Sequence, residues 1–321
     1  MNKNLNIPLV SIALCTYNGE KYLKEQLDSL VNQTYPNIEI LVFDDCSTDG
    51  TMNILNQYAS KYSFFKVTQN ENNLGYVKNF EKAVKSCNGE YIALSDQDDI
   101  WDLNKIQLQV DAMNGHLLVY HDSEFIADNG KSFNKHMSDI INLYHGDRPE
   151  TFLLFNCVSG HSCLISRELL KFTLPFKKGY YHDHWLAYIA ANHGTIGFVD
   201  KSLVKYRQHP ESNTDILRKK VKKNEAYHAN RDVSKLNNDL KWLKYCASYP
   251  KNKNPDFVNK FTSLFKERMH SFISMDYAKF LYKNRDKILY IQKMSLANKN
   301  KYIYRQVWGL PAKLIWGRFF N

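Results

Sequence analysis

The chain has 321 residues, 44% of them hydrophobic and 14% aromatic, and a formal net charge of +10. That is ample material for a packed core and excludes disorder, while no apolar run approaches the roughly 18 residues needed to cross a bilayer. The charge is unevenly placed: residues 217–321 hold 24 Lys and Arg against 7 Asp and Glu, a net of +17, and residues 1–216 hold 19 against 26, a net of −7.

Two surfaces of opposite sign follow, and the basic one suits an anionic partner such as nucleic acid or the anionic face of a membrane. Residues 1–8 lead straight toward an apolar strand without the h-region of a signal peptide. Cys15, Cys46, Cys87, Cys157, Cys163 and Cys246 show no C-x-x-C spacing and read as reduced residues of a cytosolic protein.

Residues 9–16 read as a strand, apolar on both faces as in a parallel sheet. Tyr17-Asn18-Gly19-Glu20 is a turn, and residues 21–33 form a helix with Leu23, Leu27, Leu30 and Val31 on one face. Tyr35-Pro36-Asn37 breaks it, and a strand over 38–43 ends in Asp44-Asp45. Ser47 to Thr51 carries a helix-start signature for residues 52–62. A strand over 64–68, a helix from Gly75 to Cys87 and a strand over 91–95 complete a β-α-β-α-β-α-β alternation, the pattern of a doubly wound parallel sheet. Further on, the spacing predicts a helix over 105–113, a strand within 116–125, irregular chain over 127–150, and strands within 152–166 and 195–206. A short helix over 181–192 opens with His182-Asp183, and several helices follow residue 217.

The strand over 91–95 stops abruptly at Ser95-Asp96-Gln97-Asp98-Asp99-Ile100-Trp101. Three carboxylates this close repel one another unless a cation intervenes. In open α/β sheets the crevice outside the carboxyl ends of the strands binds ligands, and a hard divalent ion there keeps positions free for phosphate oxygens. The other reading is a solvated acidic turn in which Asp99 or Asp102 caps the next helix. A calcium EF-hand loop fits poorly, because Trp101 and Gln107 fall where it needs Gly and Glu. Neither the dinucleotide G-x-G-x-x-G nor a P-loop is present. Polar strand ends at Thr16–Glu20, Asp44–Thr51 and Asp96–Asp99 would surround one crevice able to hold a nucleotide.

Ser11 to Gly19, Val42 to Thr51 and Ser95 to Trp101 resemble, in order and spacing, the three signatures of family 2 glycosyltransferases with the GT-A fold. Val158-Ser159-Gly160-His161-Ser162, His182-Asp183-His184-Trp185 and Tyr206-Arg207-Gln208-His209 extend the likeness, which is strongest to the bacterial rhamnosyltransferase-like branch and covers residues 8–215. The resemblance implies a Rossmann-like GT-A catalytic domain over 1–216, with a donor half to about 100 and an acceptor half beyond, followed by a basic helical region over 217–321.

It also implies roles. Thr16, Tyr17, Asn18 and Glu20 would line the base and ribose side, and Asp44 with Asp45 would meet the base. Lys78 would approach the nucleotide, and Asp96 the ribose or the metal. Asp98 would be the principal ligand of Mn²⁺ or Mg²⁺, and His209 would complete that site. Asp183 would be the general base, with Gly160, His161, His182 and Trp185 on the acceptor side. Many relatives carry Glu-Asp where this chain has His182-Asp183. The implied activity is metal-dependent, inverting transfer from dTDP-rhamnose or a UDP-hexose to a glycan or lipid-linked glycan in bacterial surface polysaccharide synthesis, at the inner face of the cell membrane. A nucleotidyltransferase and a non-catalytic nucleotide-sugar-binding subunit are the alternatives.

For the basic region two readings remain. Arg218, Lys219, Lys220, Lys222 and Lys223, with Trp308, Ile315, Trp316, Phe319 and Phe320 among Arg305, Lys313 and Arg318, suit an anionic membrane surface. A helical cap with a solvated basic face is the other. Nucleic acid is not expected, since no recognisable binding module accompanies the charge.

Overall fold

The computed structural model describes residues 7–210 and 225–316. The basic run from Arg218 to Lys223, together with Arg318, Phe319 and Phe320, lies outside the described residues. The chain divides into two compact units, Met1–Asp147 with Cys157–Thr214, and Arg148–Asn156 with Asp215–Asn321.

The first unit begins with the alternation read from the sequence: β1 (Val10–Thr16), α1 (Glu20–Val31), β2 (Ile38–Asp44), α2 (Thr51–Lys61), β3 (Phe65–Gln69), α3 (Tyr76–Ser86) and β4 (Tyr91–Ser95). β1 pairs in parallel with β2 on one side and β4 on the other, and every one of its residues is buried. This central position is why its sequence is apolar on both faces rather than alternating. α3 turns Val77, Phe80, Ala83 and Val84 inward, and Leu23, Leu27 and Leu30 of α1 join Ile12, Leu14, Ile40 and Val42 in one cluster. Each such side chain contributes about 1.5–3 kcal/mol by leaving water.

The chain winds outward from β1 to β3 and then returns to the far side of β1 at β4. That reversal opens a crevice beyond the carboxyl ends of β1 and β4.

The remainder of the unit comprises β5 (Ile100–Trp101), α4 (Lys105–Met113), β6 (Leu118–Ala127), β7 (Ser132–His136), α5 (Met137–Ile140), β8 (Leu164–Ser166), α6 (Leu170–Thr173), α7 (His182–His193) and β9 (Ile196–Gln208). The sheet runs β3-β2-β1-β4-β8-β6-β9-β5, with β7 added to β6. Its first half is wholly parallel and its second half mixed: β8 runs antiparallel to β4 and β6, while β9 runs parallel to β6 and antiparallel to β5. The four strands of the alternation are parallel as expected, and the mixed half lies beyond them.

Two local expectations also change. Of residues 152–166 only β8 is a strand, with single turns of 3-10 helix at Pro149–Phe152 and Gly160–Ser162. Phe152 and Leu153 are fully buried anchors of the second unit, where Trp242 Nε1 donates to the Phe152 carbonyl at 3.3 Å. An apolar run of this length reads the same whether it forms a ladder or fills a core. Residues 127–150, expected to be irregular, hold β7 and α5; β7 is largely exposed, so it lacks the apolar alternation that marks a strand.

The second unit is helical, with α8 (Glu225–Ala247), α9 (Pro255–Arg268), α10 (Met275–Lys283), α11 (Arg285–Ile288), α12 (Leu296–Arg305) and α13 (Leu310–Trp316). Its core is built from Leu243, Val258, Phe261, Phe265, Leu281, Ile288 and Ile291, and Ser295 caps α12 by accepting from the Asn298 N–H. All six cysteines are free thiols.

Candidate active site

β1 and β2 end side by side, with Thr16 opposite Asp44. The loops beyond them are laced together. Asn18 adopts a left-handed backbone (φ 48°), which asparagine tolerates better than most residues. Its N–H donates to Ser47 Oγ at 2.8 Å and its Oδ1 accepts from the Thr48 N–H at 2.8 Å. Gly19 N–H donates to Thr51 Oγ1 at 2.8 Å. The loop after β4 joins them through Gln97, whose Oε1 accepts from the Tyr17 N–H at 2.8 Å and whose Nε2 donates to the Tyr17 carbonyl at 3.0 Å.

These three loops wall a crevice of about 640 Å³, within the range usual for a small-molecule ligand. Thr16, Tyr17 and Asn18 form one side, Asp45, Asn73 and Gly75 another, and Tyr76 and Phe80 of α3 a third. Asp96, Gln97, Asp98, Tyr206 and His209 complete it.

The acidic end is electrostatically loaded. Burial, then the charges of Asp98 and Asp183, push the Asp96 carboxyl up to about 7. Asp98 Oδ2 stands 2.8 Å from His209 Nε2. Asp99 is fully buried: its Oδ1 accepts from the Arg207 N–H at 3.0 Å, and its Oδ2 has no hydrogen-bond partner, with His161 Nδ1 3.7 Å away. Burial, then the charges of Asp98 and Asp96, raise Asp99 above the ordinary carboxylate value, and burial lowers His161 to about 3. Ligand atoms of Asp96, Asp99 and His161 lie within 4.8 Å of one another.

Asp183 sits in the first turn of α7. Its Oδ1 accepts from the His184 N–H at 2.6 Å, and the Gly160 N–H also donates to it. Burial outweighs these bonds and raises its carboxyl to about 6. Beside it His182 lies among aromatic rings, its centroid 4.6 Å from Phe80 and 5.8 Å from Phe176, with neither ring nitrogen hydrogen-bonded. Burial lowers His182 to about 4, leaving a neutral imidazole.

Residues 11–174, half of the chain, match the family model of glycosyl transferase family 2. The chain belongs to that family. It is 32% identical over 213 residues to the dTDP-rhamnosyl transferase RfbG of Shigella flexneri, covering 61% of this chain and 71% of the relative. It is 34% identical over 194 residues to the UDP-Glc:alpha-D-GlcNAc-diphosphoundecaprenol beta-1,3-glucosyltransferase WfgD of Escherichia coli, covering 57% and 71%. The fold resembles that of S. aureus TarS 1–349 in complex with UDP-GlcNAc, with a TM-score of 0.55, 20% identity, and 93% and 81% of the two chains covered. The protein is thus a glycosyltransferase of GT-A fold.

Of the residues that the sequence singles out, Thr16, Tyr17, Asn18, Asp45, Asp96, Asp98 and His209 stand on the crevice wall. Others stand behind it. Asp44 is fully buried, and its oxygens accept from Thr16 Oγ1 (2.9 Å), the Ser47 N–H (2.9 Å), Ser47 Oγ and Gln69 Nε2 (3.3 Å), so it holds the loop from behind the crevice wall. Glu20 is engaged by the Gly50 N–H. Lys78 donates to Glu81 Oε2 at 2.6 Å and to the Phe176 carbonyl at 2.7 Å, which turns its ammonium toward α3's own flank. His161 is buried against Ser123 Oγ, and Trp185 donates inward to the Thr173 carbonyl at 3.0 Å. Gly160 serves through its N–H on Asp183, with His182 Nε2 only 3.4 Å from where a Cβ would stand.

Tyr22, Tyr76 and Gln97 also line the crevice, as does Phe80, whose place on the buried face of its helix gave no sign of this, and Gln97 and Arg207 lie inside the motifs quoted above. Arg207 is buried and reaches three segments: Nε donates to the Asp98 carbonyl (2.8 Å), NH1 to the Asp128 carbonyl (2.8 Å) and, on α1, NH2 to Glu25 Oε2 (2.6 Å), with the guanidinium over the Tyr22 ring at 4.8 Å.

Proposed function

We propose that the first unit is the catalytic domain, that its crevice holds the donor of a bacterial polysaccharide glycosyltransferase, and that Asp183 is the general base. Asp183 takes the proton from an acceptor hydroxyl while that oxygen attacks the anomeric carbon and the nucleoside diphosphate leaves. A single displacement of this kind inverts the anomeric centre. A carboxyl near 6 is largely ionised at neutral pH yet retains basicity, which suits proton abstraction.

The donor set fits a hard divalent ion, Mn²⁺ or Mg²⁺, held by Asp98 and His209. Asp96, raised first by burial and then by its neighbours' charges, is the kind of carboxyl a nearby cation would relieve. Asp98 and His209 are preferred to the Asp96–Asp99–His161 cluster because both line the crevice, whereas Asp99 and His161 are buried beneath it. When bound, such an ion acts as a Lewis acid toward the departing diphosphate. Mn²⁺ with GDP-Man in the structural relative from Pyrobaculum calidifontis supports the choice.

The observation that carries the reading is the meeting of three strand-end loops and the Asp98–His209 pair around one crevice. RfbG and WfgD, by their names, support dTDP-rhamnose or a UDP-hexose as donor and a glycan or lipid-linked glycan as acceptor. A lipid-linked acceptor would place the protein at the inner face of the cell membrane. Calorimetry with dTDP-rhamnose, UDP-glucose and UDP-GlcNAc, with and without Mn²⁺, tests it. Tight, Mn²⁺-dependent binding of one donor is expected; binding of none would remove the glycosyl-donor site.

A further inference from the structure

The second unit leaves an apolar surface outside its own core. Phe272 and Ile273, in the turn before α10, are each 59% exposed, and Met275 is exposed beside them. That turn is pinned in place. The Ser274 N–H donates to the Val307 carbonyl at 2.6 Å, the Gly309 N–H donates to the Phe272 carbonyl at 2.9 Å, and Ile273 bridges Trp308. The crossing is tight, since a Cβ on Gly309 would stand 1.6 Å from the Ser271 carbonyl oxygen. It brings residues 272–275 beside residues 307–309, which join α12, where Tyr304 is 67% exposed, to α13, where Leu314 and Ile315 are exposed. Exposed hydrophobics scattered singly are ordinary. Phe272, Ile273 and Met275, exposed together in one turn held by main-chain bonds, mark an interaction surface.

The charge around it selects the partner. Residues 270–316 contain nine Lys and Arg and two Asp. Lys279, one turn beyond Met275, and Lys301 and Arg305, beside Tyr304, are exposed. Aliphatic Ile273, Met275, Leu314 and Ile315 gain nothing from a phosphate backbone, which disfavours nucleic acid. An apolar tip rimmed by cations matches a bilayer whose acyl boundary takes the tip and whose anionic headgroups meet the cations. We propose that this patch seats the second unit on an anionic lipid surface. It deepens the reading of a membrane-borne acceptor given above and adds the 272–275 turn to the residues that composition alone had pointed to.

Vesicle co-sedimentation of the full chain, with no nucleotide sugar present, tests this separately from catalysis. The protein should pellet with phosphatidylglycerol-containing vesicles at low salt and less so as salt is raised, because surface charge is screened. Phe272→Ser/Ile273→Ser should weaken pelleting about tenfold without lowering the melting temperature, since both side chains are exposed. Lys301→Gln/Arg305→Gln should weaken it in proportion to the phosphatidylglycerol content. Absence of pelleting by the wild type, unchanged pelleting of both variants, or a Phe272/Ile273 variant that loses self-association instead of vesicle binding would overturn the proposal. Donor calorimetry on the same preparation shows whether the catalytic reading stands regardless.

Discussion

The Arg207 guanidinium donates through Nε to the carbonyl oxygen of Asp98 at 2.8 Å. Two residues on, His209 stands 2.8 Å from the carboxylate of the same Asp98. One short stretch at the end of β9 therefore both anchors the Asp98 backbone and supplies the group facing its side chain. The remaining Arg207 donors reach the Asp128 carbonyl and Glu25, which ties this arrangement to α1 and to the end of β6.

Arg207→Lys should loosen that pair. A lysine offers a single compact charge in place of a planar fork and cannot meet the three directions at once. Outer partners of this kind typically change metal affinity by about 10–100-fold. The Mn²⁺-dependent part of UDP or dTDP binding should fall by that order in calorimetry, with the metal-independent part retained. An unaltered Mn²⁺ dependence would reduce Arg207 to a structural strut.

Asp98→Asn should remove Mn²⁺-dependent donor binding and leave the fold intact. Asp98 is partly exposed on the crevice wall, and its carboxylate is not needed by the core. Calorimetry checks the binding and circular dichroism checks the fold. Unchanged Mn²⁺-dependent binding of a nucleoside diphosphate would move the ion elsewhere, with the Asp96–Asp99–His161 cluster as the next place to look.

Asp183 yields predictions of opposite sign for rate and stability. As a base it must be ionised, so turnover should rise with pH through about 6 and level off above. Its folded pKa lies above the ordinary 3.8, so the folded state holds the proton more tightly than the unfolded chain. The resulting destabilisation is absent below about 4, grows between about 4 and 6, and reaches about 3 kcal/mol above that. Asp183→Asn should lower turnover by about 10²–10⁴-fold, keep donor affinity, and melt no lower than the wild type at pH 8. Near-normal turnover would return Asp183 to a helix-terminus role.

The parallel half of the sheet and the crevice were legible because both-face-buried strands and polar strand ends leave plain patterns. Thr16, Asn18, Asp96 and Asp98 could be placed from position alone, at the ends of β1 and β4. Asp44 could not. A strand-end carboxylate looks the same whether it faces a ligand or, as here, satisfies Thr16, Ser47 and Gln69. Lys78 was equally ambiguous, since its pairing with Glu81 and the Phe176 carbonyl depends on a loop distant in sequence. Arg207 was visible as a letter but not as a clamp, because its partners come from residues 25, 98 and 128. The mixed half of the sheet was hidden by β8, three residues long, and by β7, which is polar and exposed.

His182 separates substrate recognition from packing. Its imidazole is neutral and almost fully buried among Tyr76, Phe80 and Phe176, and neither nitrogen has a hydrogen-bond partner. Leaving a buried polar atom unsatisfied costs about 1–3 kcal/mol, an expense a packing role would not justify. A sugar hydroxyl arriving beside Asp183 would supply the missing partner. His182→Phe should therefore raise the melting temperature, preserve donor affinity, and lower transfer to the acceptor. A variant both more stable and fully active would show that His182 fills space and reads no hydroxyl.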